Sequence, residues 1–253
     1  IKFRLTPEGS VLPTATLRPE TVFGVTNIWV NPEARYVKVG VEGEAWIVSL
    51  EAAEKLERMK VCVEVVERFK GEALVGKECV NPVTGGIIPI LPADFVDPNN
   101  ATGVVMSVPG HAPYDYVALE SVKRDAQTLE RFRIGEAVKP LRAIPIIAVP
   151  GYSEVPASDV VSRLGIRGQL DPRLEEATRI LYRSEHATGV MRENTGSYSG
   201  LPVAEARSRV AKYLLESGLG GTMYELSNRP IYCRCGAEVV VKIFKDQWFI
   251  NYG

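Results

Sequence analysis

Two short segments place polar side chains inside stretches that otherwise read as buried strand. The first is Thr14-Ala15-Thr16-Leu17-Arg18-Pro19-Glu20-Thr21, with three threonines, one arginine and one glutamate just before an apolar run. A threonine hydroxyl both donates and accepts, so a cluster of them can hold a water or an ester oxygen. The same residues fit a plainer arrangement, a strand start with a proline turn in which Arg18 pairs with Glu20 at the surface. Pattern alone favours that plainer arrangement. The second segment runs from Ala101 through Met106-Ser107-Val108-Pro109-Gly110-His111 to Asp115-Tyr116. A strand ends at Pro109-Gly110, and His111 and Asp115 then stand four apart, on one face of a starting helix. A carboxylate there sits in the favourable field of the helix N-terminus, stays ionised and can bind a cationic group. An ordinary first-turn acid is the alternative. A metal role for His111 is disfavoured, because no second His or Cys lies at ligand spacing. A Ser107-His111-Asp115 triad lacks any nucleophile-elbow pattern.

Other candidates are weaker. Gly85-Gly86 and Gly220-Gly221 read as turns, and no phosphate-binding glycine motif occurs. Cys233-Arg234-Cys235-Gly236 resembles half of a zinc knuckle, but tetrahedral zinc needs four ligands and neither His111 nor His186 is close in sequence. The expectation is two free thiols on a turn and no bound metal.

Many short strands must position these segments. Strands are expected at Phe3–Leu5, Val22–Val30, Tyr36–Val39, Ala45–Val48, Val61–Val66, Val75–Val80, Ile87–Leu91 and Thr102–Val108. Ser49 caps a helix carrying Leu50, Ala53, Leu56 and Met59 at spacing three. Pro113 opens a helix that runs to Glu130-Arg131, and Pro140–Pro150 is extended. Two charge-rich helices, Ser158–Leu164 and Asp171–Ser184, suggest a peripheral insertion over 158–185. Pro202 starts the last helix and Gly218 stops it. The tail from Ile231 reads as two strands around the Cys-Gly turn. Few helices and many short strands predict a mixed β/α fold, a small closed β-barrel carrying peripheral helices.

Composition limits the function. The 253 residues carry 30 Lys+Arg and 31 Asp+Glu, a net charge of −1, which excludes a wholly basic nucleic-acid-binding surface and an acidic tail. Apolar content of 45% excludes disorder, and no apolar run reaches the ~18 residues of a membrane span. Four cysteines without secretory context suggest a reducing cytosol, hence a cytoplasmic location. A start without Met and an aromatic tail, Asp246–Gly253, read as cut edges of a larger protein.

A resemblance joins the two segments. Thr16-Leu17-Arg18-Pro19-Glu20-Thr21-Val22-Phe23-Gly24, followed by Asn31-Pro32, resembles the threonine-rich peptide of class I aminoacyl-tRNA synthetase editing domains. Ala101–His111 with Asp115-Tyr116 resembles their second peptide, most closely that of archaeal and eukaryotic leucyl-tRNA synthetases. Lys242–Ile250 resembles the ribbon, here 230–253, that leads back to the synthetic core. The resemblance covers almost the whole chain and implies one editing domain over 1–253. Its implied work is hydrolysis of mischarged tRNA-Leu carrying Ile, Val, Met or a similar noncognate amino acid, with Leu excluded. Asp115 would bind the α-ammonium, and Thr16 would line the carbonyl or hold the water. Thr21 and Met106 would wall the pocket, with Ser107 beside them on the substrate side. Arg18 would meet the terminal phosphate or brace its loop, and His111 would touch substrate or order its turn. Leu17 departs from the bacterial pattern of two adjacent threonines, which puts any two-hydroxyl mechanism in doubt. No side chain is an evident general base, so help from the vicinal ribose hydroxyl is implied. No cofactor is implied for editing; ATP would serve only a synthetic core outside this chain. The implied partners are the tRNA-Leu 3′ end and the rest of the synthetase, with no membrane. The alternatives are a valyl- or isoleucyl-type editing domain, which shares Arg-Pro-Glu-Thr, and a tRNA-end-binding module without catalysis of its own.

Overall fold

A computed structural model describes residues 1–59, 61, 64–227, 230–244 and 248. The strands are β1 (Lys2–Thr6), β2 (Val11–Pro13), β3 (Asn27–Val30), β4 (Arg35–Val41), β5 (Glu44–Ser49), β6 (Glu64–Lys70), β7 (Glu78–Val80), β8 (Ile87–Pro92), β9 (Val104–Ser107), β10 (Ile147–Ala148) and β11 (Val190–Met191). The helices are α1 (Leu50–Arg58), α2 (Pro113–Arg124), α3 (Ala126–Phe132), α4 (Gly135–Val138), α5 (Pro156–Arg163), α6 (Arg173–Thr188) and α7 (Val203–Glu216). The first nine strands form one mixed sheet in the order β6-β4-β5-β2-β1-β7-β8-β3-β9, and β10 pairs with β11 separately.

The mixed β/α class holds, but the expected closed barrel does not form. Its would-be closing strands, β6 and β9, are the two free edges of the sheet. Closure requires tilt and stagger to bring the edges into register, which short alternating strands do not by themselves specify. β6 has the character of a protected edge, because Glu64, Glu67, Arg68 and Lys70 put charge along it.

Strand alternation gives the sheet two apolar faces. In the β8–β3–β9 region, Ile90, Ile28 and Met106 face one core with Phe3, Leu5 and Val22, closed by Val210 and Leu214 of α7. Leu91 and Trp29 face the other way, onto Ala118 and Leu119 of α2 and Val138 of α4. A third apolar cluster joins Val117 of α2 to Val160 of α5 and to Leu174, Ala177 and Leu181 of α6. The helices of the 158–185 segment therefore pack directly on the helix that carries Asp115.

Several local expectations change. Pro19–Gly24 is a 3-10 helix, and β3 starts only at Asn27. Pro19 occupies the first helical turn, where its missing N–H costs nothing. The predicted long helix from Pro113 breaks at Asp125, whose carboxylate accepts the Thr128 amide at 3.1 Å and so caps α3. The Ser49 cap forms as expected, its Oγ accepting the Ala52 amide at 3.1 Å. The strand expected over 61–66 is described as β6 from Glu64, with Cys62 and Val63 outside the described residues. Most of the closing aromatic stretch, 245–247 and 249–253, also lies outside them. Among the described residues around the tail turn an isolated Tyr232–Glu238 bridge forms in place of two strands, and Cys233 and Cys235 are joined as a disulfide in place of two free thiols.

Gly103 leads into β9 at φ +69°, and a Cβ there would lie 2.5 Å from Ser49 Cβ. Its carbonyl accepts the buried Tyr36 hydroxyl at 2.6 Å. Gly103→Ala should therefore lower unfolding free energy by at least ~1–3 kcal/mol, the usual cost of a left-handed non-glycine residue, measured by urea denaturation.

Candidate functional site

The threonine-rich peptide folds as a turn wrapped around one carbonyl. The Thr21 amide and hydroxyl both donate to the Arg18 carbonyl, at 3.0 and 2.7 Å. The Arg18 amide donates to Thr16 Oγ1 at 2.9 Å. Thr16 keeps its own hydroxyl proton free to donate, whereas Thr21 has committed its proton and leaves its methyl uncommitted. Thr16 is half-buried, Thr21 is buried, and Leu17 between them is 91% exposed.

The Arg18 guanidinium is buried. It contacts Glu185 Oε2 at 2.5 Å, Glu20 Oε1 at 3.3 Å and the His111 carbonyl at 3.2 Å, and it lies 4.2 Å from the Tyr182 ring centroid. Burial alone would lower its affinity for a proton. The Glu185 carboxylate, with Tyr182 and Glu20, outweighs burial and holds the guanidinium above its ordinary pKa. The Arg18–Glu20 pair foreseen at the surface is thus buried, with Arg207 as a second partner of Glu20 at 3.0 Å. In this geometry Arg18 braces its loop against Glu185 and the His111 carbonyl.

The second peptide leaves β9 at Val108 and turns back on itself, the His111 and Ala112 amides both bonding the Val108 carbonyl at 2.9 Å. Gly110 permits this, because a Cβ would sit 2.6 Å from the Ile144 carbonyl oxygen. His111 is fully buried. Its Nε2 accepts the amides of Ile146 at 2.9 Å and Ile147 at 3.3 Å, so the ring proton resides on Nδ1 and is donated to Glu185 Oε1 at 2.6 Å. His111 thus ties its turn to the Ile146 amide on one side and to Glu185 on the other.

Asp115 lies in the first turn of α2 and is 7% exposed. Its Oδ1 accepts the Trp29 indole N–H at 3.2 Å and its Oδ2 the Val108 amide at 2.8 Å. Burial pushes its pKa up to about 7, against the opposing pull of those two donors. Among the described residues no cationic side chain pairs with it. The helix-start expectation of an ordinarily acidic carboxylate is thus overridden by desolvation.

Met106 and Ser107 do not come together. Met106 faces Ile28 in the core under α7, whereas Ser107 opposes Asn27 on the Trp29 side. Ser107 Oγ and Asn27 Nδ2 are both buried without a protein partner. No group of three or more His, Cys, Asp and Glu converges as a metal-ligand set among the described residues. No helix there is long and apolar enough to cross a membrane. Sequence reasoning missed Glu185 and Tyr182, which sit on an ordinary charged amphipathic helix. The faint signal was that Glu185 shares a face with Leu181 and Leu174.

Known proteins share this chain's sequence pattern and fold. A family profile described as "Leucyl-tRNA synthetase, editing domain" matches residues 1–126. The leucine–tRNA ligase of Pyrococcus horikoshii is 49% identical over 261 residues, covering 100% of this chain and 27% of that protein. That of Pyrobaculum calidifontis is 48% identical over 267 residues, covering 97% and 26%. The chain therefore spans about a quarter of the length of the curated relatives it matches. The crystal structure of GlLeuRS-CP1 superposes with a TM-score of 0.78 at 26% identity, covering 86% of this chain and 85% of that one. The P. knowlesi cytosolic leucyl-tRNA synthetase editing domain shares the fold, with a TM-score of 0.76 at 22% identity and 83% and 82% coverage. The fold and the two joined peptides are those of a synthetase editing domain. The chain belongs to the leucyl-tRNA synthetase editing-domain family.

The raised pKa of Asp115 has a signed consequence. Between its ordinary value of 3.8 and about 7 the folded state holds a proton that the unfolded chain has released. Stability from this group is therefore greatest at low pH and falls as pH rises through that window. Relative to Asp115→Asn, wild-type unfolding free energy should fall by up to about 4 kcal/mol between pH 4 and pH 7 and then level off, read from urea titrations. Parallel pH profiles for the two proteins would show the carboxyl to be ordinary.

Proposed function

We propose that this chain is a post-transfer editing hydrolase, cleaving the ester of tRNA-Leu mischarged with Ile, Val, Met or a similar amino acid and sparing Leu-tRNA-Leu. The observation that carries the reading is the buried Asp115 carboxylate, which has two N–H donors and, among the described residues, no cationic side-chain partner. An incoming α-ammonium supplies the missing charge. Its approach favours the ionised form of Asp115, and the resulting charge-assisted hydrogen bond fixes the ester in place.

The threonine turn then meets the reacting end. Thr16, with its hydroxyl proton free, donates to the ester carbonyl or orients the attacking water as charge grows on oxygen. Only one hydroxyl acts there, because exposed Leu17 cannot hydrogen-bond. The vicinal ribose hydroxyl completes the proton transfer, in the absence of a side-chain base among these residues. Thr21, its rotamer held by the Arg18 carbonyl, presents a methyl wall that Leu cannot pass. Such a second sieve is needed because one methylene difference yields only ~1–3 kcal/mol of discrimination in a first pocket. The site works without metal or cofactor; ATP serves aminoacylation elsewhere in a synthetase. The partners are the charged 3′ end of tRNA-Leu and the remainder of a cytoplasmic synthetase, which carries the tRNA body and so accommodates a net charge of −1.

Deacylation assays test this directly. The wild-type protein should hydrolyse Ile-tRNA-Leu and leave Leu-tRNA-Leu intact, with activity retained in EDTA. Asp115→Asn should lower kcat/KM for Ile-tRNA-Leu by about 10²-fold or more, the loss expected when positioning by a charge pair fails. Tight binding of the charged 3′ end without turnover would reject catalysis in favour of a tRNA-end-binding module. Thr21→Ala should open the pocket, so that Leu-tRNA-Leu becomes a substrate; continued protection of it would remove the wall from Thr21.

A further inference from the structure

The catalytic peptides lie far apart in sequence, and one side chain from a third region holds them together. Glu185, near the end of α6, is fully buried. Its two carboxylate oxygens are divided between the two peptides, Oε2 on Arg18 Nη2 at 2.5 Å and Oε1 on His111 Nδ1 at 2.6 Å. A third bond, Arg18 Nη1 to the His111 carbonyl at 3.2 Å, closes the ring. From Arg18 the constraint passes through its amide to Thr16 and through its carbonyl to Thr21. From His111 it passes along the turn into α2 and Asp115.

We propose that Glu185 is a positioning residue for editing: it sets the register of the Thr16–Thr21 turn against Asp115 and thereby sets the hydrolytic rate. The inference rests on the reading above of Thr16, Thr21 and Asp115. Three physical features support it. First, both partners present donors to Glu185, and only a carboxylate offers an acceptor to each. A glutamine must turn its NH2 toward one of them, donor against donor, and one arm of the clamp opens. Second, His111 has no alternative arrangement, because two backbone amides occupy Nε2 and fix the proton on Nδ1. Third, buried Arg18 and half-buried Arg207 are balanced against two buried glutamates, Glu20 and Glu185. Removing the Glu185 charge leaves an uncompensated buried cation. The segment that carries Glu185 is thus part of the site's framework.

The test uses the full-length synthetase carrying this domain. Glu185→Gln should reduce kcat for Ile-tRNA-Leu deacylation by roughly 10²-fold with KM little changed, the loss expected from an ångström-scale misplacement. Glu185→Asp, which keeps two charged acceptors on a shorter arm, should recover part of that loss. Aminoacylation by the synthetic core should be unaffected in both. The imidazole ¹⁵N spectrum of the 253-residue chain alone, which has two histidines, supplies a second readout. Wild type should show His111 protonated on Nδ1, and Glu185→Gln should shift that signal. Editing at the wild-type rate in Glu185→Gln overturns the proposal. So does an equal loss in Glu185→Gln and Glu185→Asp accompanied by lost aminoacylation or folding, which marks a purely structural role. A wild-type enzyme that fails to deacylate at all overturns the hydrolase reading itself, a result distinct from either of these.

Discussion

Burial of charge in matched pairs is the constraint on which the rest of this structure depends. Two arginines, Arg18 and Arg207, and two glutamates, Glu20 and Glu185, are drawn from the threonine turn, α6 and α7, and they meet with His111 beneath the two site peptides. An isolated charge there would cost several kcal/mol, so each depends on the others being in place. The arrangement links the two peptides to α6 and α7. It converts loose proximity of three chain regions into a fixed geometry, and the α7 contact through Arg207 ties that geometry to the main core.

The sheet supplies the second half of the positioning. In β3, Ile28 and Trp29 point to opposite faces, and the same alternation in β9 sends Met106 and Ser107 apart. Trp29 is thereby aimed at α2, where its indole N–H meets Asp115. The Val108 amide, the first past the end of β9, meets the other oxygen. A carboxylate with this much burial and so little compensation is a strained acid in the free protein. That state would suit a group whose proposed partner is a cation brought by the substrate.

The sequence by itself determined much of the outline. The two peptides, their order and the helix start at Pro113 are local features, carried by residue type and short spacing. The Ser49 cap, the α7 boundaries and most strands are local too, and they appear near their expected places. The Leu17 departure and the hydroxyl chemistry of Thr16 also follow from residue identity alone.

Tertiary structure decided what depends on distant neighbours. Whether short strands close into a barrel turns on two edges, β6 and β9, meeting across the sheet, and they do not. Whether Arg18 faces solvent or a buried carboxylate turns on a partner 167 residues away. The Asp115 pKa follows from desolvation by surrounding side chains, which outweighs the local field of the helix start. Glu185 looks like any charged residue on an amphipathic helix until α6 is docked on α2. Local sequence encodes conformation within a few residues, whereas burial and long-range charge pairing exist only once the chain is packed.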